Sequence, residues 1–358
     1  MSVEKNNSNP KFLMSSEEKN ELREIIFHSI HCLDRKRKRW QYMVAASVVF
    51  FLGIGMMYYQ FTSESISIVD FANTSKYMEY IRENNVVLIT GQGQVLNVKG
   101  LNSKISYSSS GDIIAIDGEK VLYQKASIGE DVVYNTLLVP FGKKSKIKLS
   151  DGSKIWLNSG SRLVYPAAFN GKNREVYLEG EAIFDVVHDK TRPFLVVSEG
   201  QKVEVLGTVF NVSTYMDESE IRTTLKSGSV QIEPNDKRLG NTLGKLKIIP
   251  GTQAIYDKRD KNIVSKPVNV EDYFSWINNE LVFEKDQLHF IVRKLSRHYN
   301  VDIEIVAAEL ALETFSGTLD LKEDVEKVLR IIAGTTDMEY IKITENQYKI
   351  NKKELPMK

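Results

Sequence analysis

The feature that most constrains this chain is an uncharged run. From Trp40 to Ser63 the sequence reads WQYMVAASVVFFLGIGMMYYQFTS, 24 positions without an Asp, Glu, Lys or Arg. A helix needs roughly 20 predominantly apolar residues to cross a hydrocarbon core. Five cations (Arg35, Lys36, Arg37, Lys38 and Arg39) precede the run, and Glu64 and Asp70 follow it. Trp40 and Tyr42 stand at one end and Tyr58 and Tyr59 at the other, where interfacial aromatics belong. The expectation is one transmembrane helix over 40–62, with the N-terminus in the cytoplasm. A signal peptide would start nearer the N-terminus and end at small residues, whereas bulky Tyr58, Tyr59 and Phe61 end this run.

Charge and cysteine usage agree with two compartments. The whole chain has 48 Lys+Arg and 47 Asp+Glu, a net charge of +1. Residues 1–40 hold nine of those cations and six of the anions, a net of +3, which leaves 39 against 41, or −2, for the remainder. Balance of this kind is not that of a nucleic-acid binder. Cys32 is the only cysteine, which excludes a disulfide scaffold and a zinc finger.

Ahead of the run, Ser15 and Glu18 have capping-box spacing. Leu22, Ile25, Ile26, Ile30 and Leu33 follow at helical steps, which predicts a helix over about 16–34 with one apolar face. A tail this short has no domain of its own to cover that face, so the face is expected to bury against a partner protein or else to lie on the membrane, and its mixed Glu/Lys polar side favours the partner. Beyond the run the pattern becomes short strands with Gly-containing turns. Lys146 to Leu149 and Lys154 to Leu157 alternate across Asp151-Gly152, the mark of a hairpin. Strands recur to about residue 260, which predicts an all-β sandwich or stack. After Pro267, helical spacing returns at Leu288, Ile291, Val292 and Leu295, and again at Val325, Val328, Leu329 and Ile332, between strand-like segments. That order predicts a small α+β unit. The expected fold class is therefore membrane-anchored and mostly β. Its parts are a cytoplasmic tail over 1–39, the span over 40–62, a connector with leading strands over 63–130, an all-β domain over 131–265 and an α+β domain over 278–352.

Catalytic motifs are scarce. No G-x-S-x-G, H-E-x-x-H or phosphate-binding loop occurs. His28 and His31 share a helix face beside Cys32, but no third ligand is near in sequence, so no metal and no cofactor is expected. Glu179, Glu181 and Asp185 fall in one strand-turn-strand, with nothing to single out an acid–base pair. Gly207-Thr208 sets a glycine carbonyl before a hydroxyl. Attack by that hydroxyl would give an ester whose hydrolysis cuts the chain, and a bulge or tight bend explains the same dipeptide. An anchored glycan-binding or glycan-degrading surface protein is the rival reading. Trp156 and Trp276 are the only tryptophans beyond the run.

Several spaced motifs resemble the FecR family. They are Pro140-Phe141-Gly142, Leu149-Ser150-Asp151-Gly152-Ser153, Trp156-Leu157-Asn158, and Arg174 to Val186 in the form R-x-V-x-L-x-G-E-A-x-F-x-V. Arg192-Pro193-Phe194 and Gly207 to Val212 continue them. Residues 281–351 resemble the domain that accompanies FecR regions in the Bacteroidota, which is like the secretin/TonB short N-terminal domain. The resemblance implies a single-pass inner-membrane signal transducer, not an enzyme, with its C-terminus in the periplasm. Its implied partners are an extracytoplasmic-function sigma factor, bound by Leu22, Ile25, Ile26, Ile30 and Leu33, and the signalling domain of a TonB-dependent outer-membrane transporter. No direct nucleic-acid contact is implied. Self-cleavage at the Gly-Thr of the matching motif is known in the family, which marks Gly207 and Thr208 as candidates. The family's cytoplasmic tail usually has several helices, and here one is expected.

Overall fold

The computed structural model describes residues 15–61, 67–74, 85–118, 120–128, 131–234 and 244–353. The chain divides into two units, Met1–Glu64 and Ser65–Lys358.

The first unit is a helix, α1 (Ser16–Phe61). Its start is a reciprocal cap: the Ser15 N–H donates to Glu18 at 2.9 Å, and the Glu18 N–H donates to Ser15 Oγ at 3.4 Å. No Gly or Pro interrupts residues 16–52, and Arg and Lys are good helix formers, so the helix runs through the cationic segment without a break. This corrects the expected transmembrane helix over 40–62. Among the described residues, no helix is long and apolar enough to cross a membrane. The membrane-anchored fold class gives way to a long helix, a β-rich body and a small α+β domain.

In the second unit, α2 (Ile68–Thr74) comes first. The strands that follow are β1 (Val86–Ile89), β2 (Val95–Val98), β3 (Asn102–Tyr107), β4 (Ile113–Ile116), β5 (Lys120–Tyr123), β6 (Ser127–Ile128) and β7 (Asp131–Val132). Next are β8 (Tyr134–Val139), β9 (Lys144–Lys148), β10 (Lys154–Leu157), β11 (Ser161–Pro166), β12 (Arg174–Asp185), β13 (Phe194–Val197) and β14 (Gln201–Val205). The body ends with β15 (Val209–Thr214), β16 (Glu220–Ser227), β17 (Val230–Pro234), β18 (Leu246–Ile248), β19 (Thr252–Asp257) and β20 (Ile263–Pro267).

Two sheets form. One has the order β2-β1-β8-β11-β12-β13-β14-β17-β18. The other has the order β5-β4-β3-β9-β10-β12-β15-β16-β19-β20. Strands before residue 131 pair directly with later ones, β1 with β8 and β3 with β9, so they belong to the same body.

Strand β12 belongs to both sheets. Its first half pairs with β11 and β13, and from Gly180 onward it pairs with β10 and β15. The bend falls at Gly180, whose φ of +92° suits a residue without a Cβ. An added Cβ there would lie 2.4 Å from Ser161 Oγ and 2.6 Å from Ser161 Cα. Alternation along β12 then fills the core from both sides. Val176 and Leu178 enter from one sheet, Ala182 and Phe184 from the other. Phe184 stacks on Phe210 with centroids 5.0 Å apart. At the head of the strand, buried Arg174 bonds Asp151 Oδ2, the Val187 carbonyl and the Arg192 carbonyl, each at 2.9 Å. The charge is paired and hydrogen-bonded, which is the condition for keeping it inside. Helix α2 lies on the first sheet, where Ile68 and Ala72 pack against Val164, Tyr177 and Val197.

Beyond two 3-10 turns (Val270–Tyr273 and Ser275–Asn278) come β21 (Glu280–Gln287), α3 (Leu288–Tyr299), β22 (Asp302–Ile305) and α4 (Ala308–Leu312). The chain continues with β23 (Thr314–Asp320), α5 (Val325–Thr335), β24 (Met338–Thr344) and β25 (Gln347–Lys352). β21 pairs with β23, and β25 lies between β22 and β24. Leu288, Ile291, Val292 and Leu295 of α3 meet Val328, Leu329 and Ile332 of α5 in a separate core.

Gly180→Ala is expected to destabilise the β body by at least ~2 kcal/mol, through positive-φ strain and a clash with backbone. Thermal unfolding measures this as a midpoint several degrees lower.

Candidate functional site at the junction of two domains

The densest polar cluster lies where the β body meets the C-terminal domain. Its centre is Arg297, in the last turn of α3 and 5% exposed. Its guanidinium carbon sits 3.6 Å from the centroid of the Tyr215 ring, a cation–π contact. Nη1 donates to Glu218 Oε1 at 2.6 Å, and Nη2 donates to both oxygens of Asp217 at 2.8 and 2.9 Å. Asp217 and Glu218 belong to the β15–β16 turn of the body. One planar donor thus joins a carboxylate pair and an aromatic face from another domain, a task lysine's single ammonium cannot reproduce. Arg293, one helical turn earlier, donates to the Asp217 carbonyl at 2.8 Å. Tyr215 donates its hydroxyl to the Ser159 carbonyl at 2.8 Å, and burial pushes that phenol well above its ordinary pKa.

A second set holds the linker. Lys144, at the start of β9, donates to the Trp276 carbonyl and, at 2.6 Å, to Asn279 Oδ1. Burial pushes its ammonium down to about 8, against the opposing pull of Glu181. Glu181, the residue after the β12 bend, accepts from Asn158 at 2.8 Å and from Asn211 at 3.2 Å. Asn211 also donates to the Tyr273 carbonyl at 3.2 Å. Phe274 and Trp276 bury their rings against Ile183 of β12. The turn Pro140-Phe141-Gly142 contributes the Gly142 N–H, which donates to the Arg297 carbonyl at 2.8 Å. Gly142 has φ +75°, and a Cβ there would sit 3.3 Å from Asn300. Burial, with the Lys144 charge nearby, pushes His298 down to about 4, although its bond to the Leu321 carbonyl opposes the shift. A polar cavity of about 40 Å³, lined in part by Ser159, Glu181, Lys294 and His298, lies within this junction.

Of the candidate site residues singled out in the sequence, Glu181 and Trp276 reach this junction and the others do not. Leu22, Ile25 and Ile26 are exposed on α1, and the side chains of Ile30 and Leu33 lie outside the described residues. Gly207 lies against His188, whose Nδ1 would be 2.5 Å from a Cβ added at Gly207. Buried Thr208 donates its hydroxyl to the Ser229 carbonyl at 3.0 Å. Attack on the Gly207 carbonyl would require that hydroxyl to leave the Ser229 carbonyl. Of the carboxylates, Glu179 pairs with Arg162 at 2.6 Å and Asp185 lies 4.0 Å from Lys154, whereas Glu181 reaches the junction as described above. Lys146 covers the Trp156 ring at 4.6 Å and Trp276 is buried, so neither offers the open aromatic platform a glycan site needs. Among the described residues, no cluster of three His, Cys, Asp or Glu could hold a metal ion. His31 and Cys32 lie outside the described side chains.

Two family profiles match the chain, FecR protein over residues 135–231 and FecR, C-terminal over residues 280–350. The first spans β12 and its bend, and the second spans the domain that carries Arg297. These two stretches are FecR-family regions. FecR proteins are a signalling family and not enzymes. The fold is similar to two crystal structures, at 1.65 and 2.50 Å, of a candidate anti-sigma factor from Parabacteroides distasonis. Each is 26% identical with a TM-score of 0.56, and each match covers 61% of this chain. The shares of the solved chains covered are 98% and 99%. No curated protein matches the chain.

The FecR signature has a physical reading in this fold. Arg174 anchors the strand to Asp151, Gly180 makes the bend, and Glu181 reaches into the junction. The residues missed by sequence reading are Arg297, Asp217, Glu218, Tyr215 and Lys144. The adjacent acids Asp217-Glu218 and a lone Arg at a helix end were the available signal, about 80 residues apart.

The folded pKa of His298 lies below its ordinary 6.5, so its contribution is complete above pH 6.5 and is lost as pH falls towards 4. Going from pH 7 to pH 4 should cost about 3 kcal/mol through this group. His298→Gln should remove that share of the acid destabilisation, measured as the difference between the two stability–pH curves.

Proposed function

We propose that this FecR protein regulates a sigma factor, with α1 as the binding element. The observation that carries the reading is the apolar stripe of α1. Leu22 is 50% exposed, Ile25 65% and Ile26 49%, on one face of a helix whose cap is fully formed. Burying such side chains is worth roughly 1.5–3 kcal/mol each, which favours a protein partner with a complementary groove. The FecR-family regions and the likeness to the Parabacteroides protein support a sigma factor as that partner. An extracytoplasmic-function type is the specific form we propose.

The Ser65–Lys358 unit is proposed as the receiver. A signalling domain of a TonB-dependent transporter is the input we favour, on the strength of the C-terminal FecR region. The junction around Arg297 would pass the input from the C-terminal domain to the β body.

Leu22→Asp with Ile26→Asp in the full chain should abolish co-purification with the cognate sigma factor while leaving thermal unfolding of the β body unchanged. Undiminished recovery of the sigma factor by the double variant would refute α1 as the binding element.

A further inference from the structure

Strand β9 carries lysines at every second position. Lys144 is committed to the linker, whereas Lys146 and Lys148 point outward from the second sheet. Register places further cations directly opposite them: Lys104 of β3 pairs with Lys146, and Lys154 of β10 pairs with Lys148. Like charges directly opposite on neighbouring strands destabilise a sheet. Compensation is slight: among the described residues the one ion pair of these four ammonium groups is Lys154 with half-buried Asp185 at 4.0 Å, and Asp117 accepts the Lys104 backbone N–H at 2.7 Å. An arrangement that works against the fold and is not neutralised within it is expected where a ligand supplies the missing charge.

Beside the lysines lies a groove of about 170 Å³, with Asn102, Lys104, Lys146, Trp156 and Trp276 in its wall. Lys146 lies over the Trp156 ring, so the groove presents ammonium groups rather than an aromatic face for stacking a base or a sugar. β9 is flanked on both sides, by β3 and β10, so a ligand cannot add to the sheet as a strand and must lie across its face. Alternate side chains on one face of a strand are about 6.8 Å apart, which matches carboxylates at every second residue of an extended peptide.

We propose that the lysine face of β3, β9 and β10 is a docking site for an extended acidic segment of a partner protein. The site is distinct from the α1 stripe and does not depend on the sigma-factor reading.

The test is tryptophan fluorescence of the full chain in a Trp40→Phe background, so that Trp156 and Trp276 report. The probe is a synthetic peptide of four Glu-Ser repeats. Saturable binding that weakens with added salt is expected. Lys104→Gln with Lys146→Gln should weaken it roughly tenfold, at about two- to fivefold per exposed pair. Lys148→Gln with Lys154→Gln should have a similar effect, and neither pair should lower the unfolding temperature, because each removes a repulsion. No saturable binding of the peptide, or binding by both double variants as tight as by the parent chain, would overturn the proposal. So would inorganic phosphate or an oligothymidylate displacing the peptide at equal charge concentration, which would mark a general anion site instead.

Discussion

Everything in the second unit depends on one strand that changes sheets. β12 can serve both sheets only if its backbone turns at residue 180 into a conformation that glycine tolerates. Ser161 occupies the space a side chain would need. From that bend three things follow. The two apolar faces close on a shared core. Arg174 at the head of the strand is buried beside Asp151. Glu181, just past the bend, is delivered to the outer surface of the second sheet, where the interdomain linker crosses. The constraint that makes the fold therefore also places the first residue of the junction.

The junction is made of unlike interactions with different strengths. The Glu218–Arg297 pair is almost wholly buried, and breaking such a pair from one side typically costs 3–5 kcal/mol. Asp217 is 61% exposed and adds direction rather than much energy. Phe274, Trp276 and Ile183 supply apolar area. Lys144 and the Gly142 N–H fix the linker and the end of α3 through backbone carbonyls. A contact built this way transmits displacement well, because few of its parts can relax alone. That property suits a receiver domain that reports to a neighbouring body.

The strands were legible in the sequence where alternation was clean. Lys146 to Leu149 and Lys154 to Leu157 form the hairpin that their period of two predicts, and α3 and α5 follow their apolar spacing. The uncharged stretch, its cationic flank and its terminal aromatics predict a membrane span, yet among the described residues no helix is long and apolar enough to cross a membrane. The helix instead propagates from Ser16 straight through Arg35–Arg39, where nothing interrupts it. The junction was illegible for a different reason. Arg297 and its acidic partners are joined only by the packing of one domain on another, and no local periodicity records a contact over about 80 residues. The signature residues were visible as a pattern, but their roles as anchor, bend and junction contact appear only once β12 is seen in both sheets.

The β body and the C-terminal domain belong to one compact unit and are joined at Arg297. Residual dipolar couplings collected from both domains in one aligned sample test it most directly. A single alignment tensor that fits both domains in the orientation described here is predicted. Two tensors of clearly different magnitude or orientation would contradict the claim.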